Sequence, residues 1–324
     1  MNKKYILISF FGLIVLLCLP FIGQVKLDIQ SLFGDNTGSF IFWQLRVPVT
    51  LLAFIVGSTL SLAGLIFQNI FKNSLATPYT LGVSSGAAAA TVLAIKMNIS
   101  LSFLGLNGIY VYGFVGALLT IFLIIGIAKF VRSFSIYTLL MSGIALNFFF
   151  SSCILLVQYL ADYAQTASVL RWLMGSLSVA GYSEILFLLP LYLFFIAATF
   201  LLRNDLILLS AGDSFAHSKG MNVKKFRIFV LIIVSFIVGV TVTIAGPIGF
   251  VGLIVPHISR LIFKDDFKAV IYFTIFIGGL LLVLTNFAAR NLMPPVEIPV
   301  GIITSFIGAP FFLFILISKL KKQE

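Results

Sequence analysis

Charged residues are scarce in this sequence, and their scarcity excludes an ordinary water-soluble domain. Only 10% of the 324 residues are Asp, Glu, Lys or Arg, whereas soluble domains carry about 25%. Hydrophobic residues make up 60% of the chain, and the mean hydropathy is +1.16. The composition therefore predicts an integral membrane protein.

Ligand-forming side chains are also few. The chain has two cysteines, Cys18 and Cys153, and two histidines, His217 and His257. Both cysteines lie in apolar segments, so we interpret them as packing residues without a disulfide or metal role. The sequence has no G-x-x-x-x-G-K-[ST] phosphate loop and no HExxH motif, and no catalytic residue, cofactor or metal site is predicted. If transport is driven by ATP, a partner must hydrolyse it.

The apolar residues fall into ten segments, each a candidate for a membrane-spanning helix. Such a helix needs about 20 apolar residues. The segments are 5–23, 47–71, 79–95, 104–128, 137–160, 185–202, 226–245, 250–263, 269–288 and 298–317. The segment 250–263 would reach only about 21 Å at about 1.5 Å per residue, so we expect "GPIG" at 246–249 to be a backbone break buried inside the bundle. The fold class is an all-α polytopic membrane protein, with residues 1–324 forming a single domain.

The basic residues are distributed unevenly between the two sides of this topology. With ten spans, 16 of the 21 Lys and Arg residues fall in the loops on the side of both termini. The positive-inside rule places that side, and therefore the N- and C-termini, in the cytoplasm. Because topology explains the basic residues, the pI of 9.7 gives no argument for nucleic-acid binding.

The second and seventh segments form an internal repeat. "IVGSTLSLAGLIFQNI" (55–70) and "IVGVTVTIAGPIGFVG" (237–252) are identical at 7 of 16 positions. The two segments are five spans apart, so they cross in opposite directions, as in the inverted repeats of transport proteins. Gly57, Ser61 and Gly64 have the spacing of a close helix contact, and a packing role alone also accounts for them.

Ionisable residues are almost missing from the segments, and this argues against an ion-coupled carrier. Only His257 and Arg260 lie inside a segment, with Arg227 at an edge. The loop 203–227 is the candidate docking surface for an energy-supplying partner, with two short helices and Gly220 at the turn. A plain solvated loop is the alternative.

Four stretches together resemble one family, the FecCD-like (type II) ABC importer permeases for iron chelates, haem and cobalamin. They are "RVPVTLLAFIVGSTLSLAGLIFQNIFKNSLATPYTLGVSSGAAAA" (46–90), "LLSAGDSFAHSKGMNV" (208–223), "GPIGFVGLIVPHISRLI" (246–262) and "EIPVGIITSFIGAPFFLFIL" (297–316). The resemblance implies a ten-helix subunit in the bacterial inner membrane, paired as a homodimer or with a paralogous permease. It also implies two ATP-binding subunits, which bind the ATP, and an extracytoplasmic substrate-binding protein.

The resemblance also assigns roles to residues at the cytoplasmic and the outer face of the subunit. The ATPase-coupling positions are Gly212, Asp213, Ala216, Gly220 and Met221, with Asp213 able to cap the helix after it. Arg46 and Arg290 match the arginines that meet the binding protein, although Val49 stands where relatives often have another arginine. Ile136 and Tyr137 fall where relatives have a cytoplasmic gate. Ser84 and Ser85, in the small-residue stretch 82–90, and Asn147, at mid-depth in the fifth segment, are pathway candidates from the residues themselves. For Asn147, a helix–helix hydrogen bond is an equal alternative, and Asn286 replaces a frequent aspartate.

We interpret the residues around the start of the eighth segment, and Pro256 and His257 within it, as structural. Gly246, Pro247 and Gly249 form the predicted break, and Pro256 with His257 is expected to kink the short helix and tie it near the cytoplasm. A lone histidine lacks the converging donors that a metal site needs. The resemblance implies a permease subunit of an ATP-driven importer, and the expected cargo is an iron–siderophore complex. Haem or cobalamin cargo is an alternative, as is an ATPase-independent secondary carrier.

Overall fold

The computed structural model describes residues 3–23, 25, 32, 34, 37–98, 102–103, 106–264 and 266–320, and these are predominantly helical. The helices are α1 (Lys3–Cys18), α2 (Thr37–Phe40), α3 (Val47–Phe71), α4 (Val83–Lys96), α5 (Ile109–Phe130), α6 (Ile136–Tyr159), α7 (Tyr163–Leu173), α8 (Ser183–Leu201), α9 (Arg203–Ala211), α10 (Asp213–Ser218), α11 (Val223–Ala245), α12 (Val251–Phe263), α13 (Phe267–Asn291) and α14 (Val300–Leu320). A 3-10 turn, Leu19–Phe21, follows α1, and a π-helical turn, Ile41–Arg46, joins α2 to α3. Strands β1 (Ser102–Phe103) and β2 (Leu106–Asn107) pair antiparallel between α4 and α5.

Each of the ten predicted apolar segments coincides with a helix. Six helices are long and apolar enough to cross a membrane: the continuous stretch Thr37–Phe71, α5, α6, α8, α11 and α13. Shorter apolar helices cover Gly12–Phe21, α4, α12 and most of α14. The chain is therefore an all-α, multi-pass membrane protein. Ten spans and cytoplasmic termini stay predictions, and residues 1–2 and 321–324 lie outside the described part of the chain.

Some boundaries differ from the prediction. The second span begins at Thr37, because the π-helical turn makes α2 and α3 continuous. The predicted start of the fourth segment, residue 104, lies outside the described residues, and α5 begins at Ile109. Helix α7 was not predicted because its 11 residues are too few and too polar to form a membrane-spanning segment.

Helix α3 lies at the centre of the fold and packs against α8, α9, α11, α12 and α13. A Cβ atom on Gly64 would lie 1.8 Å from the carbonyl oxygen of Gly252 in α12. A Cβ atom on Gly57 would lie 2.3 Å from the carbonyl oxygen of Gly278 in α13. The helix backbones therefore touch directly, and the small residues predicted for close contact do serve packing.

The ends of α3, α11 and α12 meet at one end of the bundle, which we name the basic end. Asp213 forms ion pairs with Lys72, the residue after α3, and with Arg227, near the beginning of α11. Arg260, near the end of α12, donates to Gln68 near the end of α3. Helices α3 and α11 therefore run in opposite directions, as the inverted repeat requires, while α12 runs parallel to α3.

The predicted backbone break between α11 and α12 is present. Helix α11 ends at Ala245, and Gly246 has φ +69°. Phe250 has φ +66° immediately before α12. Pro247 and Gly249 lie between them, outside any helix. The following helix continues through Pro256 and the half-buried His257 to its end, so Pro256 does not terminate it.

Candidate functional site: two short helices at the basic end

The predicted docking loop, 203–227, forms the two short helices α9 and α10, so it is not a plain solvated loop. Gly212 separates them with φ +140°, a backbone conformation that side chains rarely adopt. Leu206, Leu209 and Ala216 are all 1% exposed or less and seat the two helices on the bundle. We call α9 and α10 the helix pair. The side of the helix pair that packs on the bundle is apolar, and the opposite side is exposed.

Gly220 ends the second of these helices. The N–H groups of Gly220 and Met221 donate to the carbonyl oxygens of His217 and Ala216 at 2.9 and 3.1 Å, which is the Schellman arrangement. Gly220 has φ +83°, so the predicted left-handed backbone is confirmed. Its predicted place between the two helices is wrong, because Gly212 holds that position. Apart from its neighbours in the chain, no described residue has an atom within 4 Å of a Cβ built on Gly220, so the backbone conformation is the constraint.

Asp213 connects the helix pair to two long helices. Its carboxylate lies 2.8 Å from Lys72 Nζ and 3.0 Å from Arg227 Nη2. Burial alone would raise the pKa of Asp213, but the hydrogen bonds and charges of Lys72 and Arg227 outweigh it and hold the pKa below its ordinary value. The carboxylate is therefore ionised at neutral pH and bridges the two cations.

The predicted capping role of Asp213 is wrong. Asp213 is the first residue of α10, the N-cap position belongs to Gly212, and no side chain in the described part of the chain caps this helix. The carboxylate instead accepts hydrogen bonds from the two cations. Its charge still lies in the first turn of the helix, where it interacts favourably with the helix dipole.

The outer face of the helix pair carries exposed apolar side chains. Phe215 is 47% exposed and Ile207 is 43% exposed. The ammonium group of Lys219 lies 5.9 Å from the centre of the Phe215 ring. Exposed aromatic side chains are enriched in protein-binding surfaces. Ile207 and Phe215 together are called the helix-pair patch.

At the opposite end of the bundle, Arg46 is a buried structural residue, 8% exposed. Its guanidinium donates to the carbonyl oxygens of Pro20 at 3.2 Å, Phe21 at 3.3 Å and Val25 at 2.5 Å. These bonds fasten the chain after α1 to the π-helical turn before α3. The docking role predicted for Arg46 has no direct support in this geometry, because its donors are turned toward the chain's own backbone.

Arg290, the second predicted docking residue, is more accessible. It pairs with Glu297 at 3.0 Å, and the two side chains are 31% and 45% exposed. Arg46, Arg290, Glu297 and the neutral Asn286 line one cavity of about 240 Å³. The two arginines thus share a surface, but only Arg290 reaches solvent to a substantial extent.

The five pathway candidates do not form one cluster. A Cβ on Gly82 would lie 3.3 Å from the backbone nitrogen of Asn147 and 3.5 Å from Ser85 Oγ, so the start of α4 lies against the middle of α6. Ser84 beside them is 1% exposed. Ile136 and the 72% exposed Tyr137 begin α6, about 16 Å away along the helix. Their roles in transport stay predictions.

A polar cluster at the basic end was missed by sequence reasoning. Arg260 donates to the side-chain oxygens of Gln68 at 2.7 Å and Asn69 at 3.3 Å. Gln68 in turn donates to the carbonyl oxygen of Gly252 at 3.3 Å. The sequence showed Arg260 as the one cation inside a segment, yet it gave no signal for partners almost 200 positions away. These bonds tie α12 to α3 beside the glycine contact.

The segment between α7 and α8 was missed as well. It packs against the backbone break, where a Cβ on Gly246 would lie 2.6 Å from the carbonyl oxygen of Trp172. The N–H of Ser176 donates to the carbonyl oxygen of Ala245 at 2.9 Å. A groove of about 620 Å³ between this segment and α14 is lined by residues including Met174 and Phe306. The capping pair Asp162 and Gln165 was the available sequence signal for α7.

A family model described as the FecCD transport family matches residues 8–318. The chain belongs to this family. The hemin transport system permease protein HmuU of Yersinia pestis is 33% identical over 306 residues, which cover 93% of this chain and 91% of HmuU. The Fe(3+)-citrate import system permease protein YfmE of Bacillus subtilis is 34% identical over 301 residues, covering 91% and 87% of the two chains.

A solved structure extends this likeness to three dimensions. It is of an ABC transporter of metal-chelate type in an inward-facing conformation, and its match has a TM-score of 0.87 with 29% sequence identity. The match covers 98% of this chain and 99% of that chain. The resemblance stated from the four sequence stretches is therefore confirmed at the level of family and fold.

Proposed function

We propose that this FecCD-family chain is the permease subunit of an ATP-driven importer that carries an iron–siderophore complex into the cytoplasm. Iron chelates are the favoured cargo class because YfmE is named for ferric citrate and the solved relative for metal chelates. ATP is bound by a separate subunit in this proposal. A third partner, an extracytoplasmic binding protein, delivers the cargo.

The helix pair carries the proposal. It presents an exposed apolar patch at the basic end, and Asp213 ties it to α3 and α11. A surface that must receive motion from an ATPase needs both an accessible anchor and a firm connection to the bundle. Phe215 supplies the anchor, and the ion pairs supply the connection.

A second permease subunit is proposed to cover α6. Only 28% of the most apolar stretch of this helix is buried within the chain. Tyr137, Phe148 and Tyr159 are 72%, 69% and 86% exposed. In this proposal the pathway runs between the two subunits, past Asn147 in α6. The partner is a second copy or a paralogous permease.

Hemin is the second candidate cargo. The identities to HmuU and YfmE, 33% and 34%, are practically equal although the two relatives are named for different cargoes. Overall identity therefore does not select between them. Selection must come from side chains that face the pathway, where the neutral Asn147 and the apolar groove favour cargo held by shape.

The experiment is growth and uptake in a deletion strain supplied with a ferric siderophore, hemin or cobalamin as sole source. Uptake of the ferric siderophore should require this chain together with the ATP-binding subunit. Hemin- or cobalamin-specific loss would redirect the cargo assignment. Uptake that persists after deletion of the ATP-binding subunit contradicts the ATP-driven mechanism and favours a secondary carrier.

A further inference from the structure

We infer that Asp213 is a positioning residue that fastens the helix pair to α3 and α11, so that displacement of the pair is passed to both helices. The transmission part of this inference rests on the proposed function, whereas the fastening part does not. No residue in the argument is required to contact cargo or nucleotide.

Lys72, Asp213 and Arg227 differ in how strongly each relies on its ion pair for neutralisation of its charge. The side chains of Lys72 and Asp213 are 32% and 44% exposed, so water competes for their ion pair. The Arg227 side chain is only 5% exposed. Its Nε has no hydrogen-bond partner among the described residues, and its Nη2 donates to both Asp213 oxygens at 3.2 and 3.0 Å. Arg227 therefore relies on Asp213 for its neutralisation.

Asp213 supplies the directional contacts that hold the helix pair on the bundle. Leu206, Leu209 and Ala216 seat the helix pair through apolar contacts, which tolerate sliding because they have no preferred direction. Charge-assisted hydrogen bonds instead fix distance and angle. Because Asp213, the first residue of α10, accepts these bonds, a shift of this helix pulls directly on Lys72 and Arg227.

The two anchored helices reach different parts of the molecule. Helix α3 touches α12 and α13 through backbone contacts at Gly64 and Gly57, and α11 packs against α4 and α5. Because α3 and α11 run in opposite directions, a single pull at the basic end acts on the end of one helix and the beginning of the other. One carboxylate thus connects the helix pair to both repeat-related helices.

Hydrogen–deuterium exchange on the full chain in lipid nanodiscs tests the fastening. Asp213→Asn should speed exchange of the amides in 203–222 by about threefold to tenfold, because local opening costs less without the ion pairs. Asp205→Asn is the matched control, since it removes an acidic charge from the same helix pair at a position without an ion pair among the described residues. Equal exchange in the Asp213→Asn chain and the unmodified chain would overturn the fastening.

Cargo uptake per ATP hydrolysed tests transmission in the complex with the ATP-binding subunit. Asp213→Asn should lower this ratio by about fivefold or more while ATP hydrolysis continues, because a lost coupling energy of this class corresponds to that factor. Asp213→Glu should restore part of the ratio, and Asp205→Asn should leave it unchanged. An unchanged ratio in Asp213→Asn overturns the inference, as does a loss of subunit assembly without a change in the ratio of the remaining complexes.

Two further comparisons distinguish failure of this inference from poor accumulation of the variant and from failure of the proposed function. If Asp213→Asn does not accumulate in the membrane, Lys72→Gln tests the fastening to α3 by itself, because it leaves the pair between Asp213 and Arg227 intact. A normal ratio and normal exchange in Lys72→Gln would overturn the part of the inference that concerns α3. Failure of the proposed function shows itself differently, as uptake by the unmodified chain that does not depend on the ATP-binding subunit. The exchange result remains valid in that case.

Discussion

Helices α3 and α6 have similar length and similar hydropathy but opposite surroundings. The most apolar stretch around α3 has a mean hydropathy of 2.2 and is 83% buried, whereas that of α6 has 2.0 and is 28% buried. Hydropathy thus predicts that both enter the membrane without indicating what each will touch. The side chains make the difference: α3 has glycine at its contacts, while α6 turns Phe148 and Phe149 outward.

The largest expected effect comes from removing the same side chain on each helix. Phe67 in α3 is fully buried, while Phe148 in α6 is 69% exposed. Phe67→Ala should lower the free energy of unfolding by about 2–5 kcal/mol, because it leaves a cavity. Phe148→Ala should change it by less than about 0.5 kcal/mol. Thermal unfolding of the two purified variants in detergent measures both, and equal losses would remove the contrast between the helices.

The second comparison adds a single carbon atom at a close contact and at an open one. Gly64→Ala would place Cβ 1.8 Å from the Gly252 carbonyl oxygen. Around Gly126 in α5, no described atom beyond the adjacent helix backbone and chain neighbours lies within 4 Å of a Cβ. We expect Gly64→Ala to cost at least about 2 kcal/mol through forced separation of α3 and α12. Gly126→Ala should be neutral or stabilising by up to about 1 kcal/mol. The same unfolding assay applies, and a stable Gly64→Ala chain would contradict the direct backbone contact.

A third comparison sets the buried arginine against the accessible one. Arg46→Gln should destabilise the chain by about 1–3 kcal/mol, because the backbone carbonyls of Pro20, Phe21 and Val25 lose their donor. Arg290→Glu should cost at most about 1 kcal/mol, because the ion pair it breaks with Glu297 is exposed, and should weaken docking of the binding protein, most clearly at low salt. Binding measured by surface plasmon resonance at two salt concentrations, beside thermal unfolding, separates these effects. Reversed behaviour of the two arginines would restore Arg46 as a docking residue.

The last comparison concerns the end of α10, where the expected loss of stability is local. Gly220→Val should cost about 1–2 kcal/mol locally, because a β-branched residue resists the left-handed backbone. We expect weaker assembly with the ATP-binding subunit, measured by co-purification. Gly220→Asn is the matched control, since asparagine tolerates this conformation and should retain most of the assembly. Normal assembly and uptake in the valine variant would exclude a role for this turn.

Sequence reasoning was strongest where composition alone determines structure. Ten apolar segments, the backbone break at Gly246 and the left-handed Gly220 followed from hydropathy and glycine. It was weakest where the outcome depends on residues distant in sequence. Asp213 was expected to cap a helix. Its carboxylate instead forms ion pairs with two cations, and one of them, Lys72, lies far away along the chain. Helix α7 was missed because a search for long apolar segments passes over a short helix of low hydropathy.

The contact between Gly64 and Gly252 also constrains how this gene can vary. Every single-nucleotide change that alters a glycine codon introduces a residue with a Cβ atom or a stop codon. Each such residue would collide with the facing backbone, since even the first side-chain carbon has no room. Natural variants of this protein should therefore keep both glycines even where the neighbouring apolar residues drift. The pair offers a simple criterion for deciding which distant sequences share this arrangement of helices.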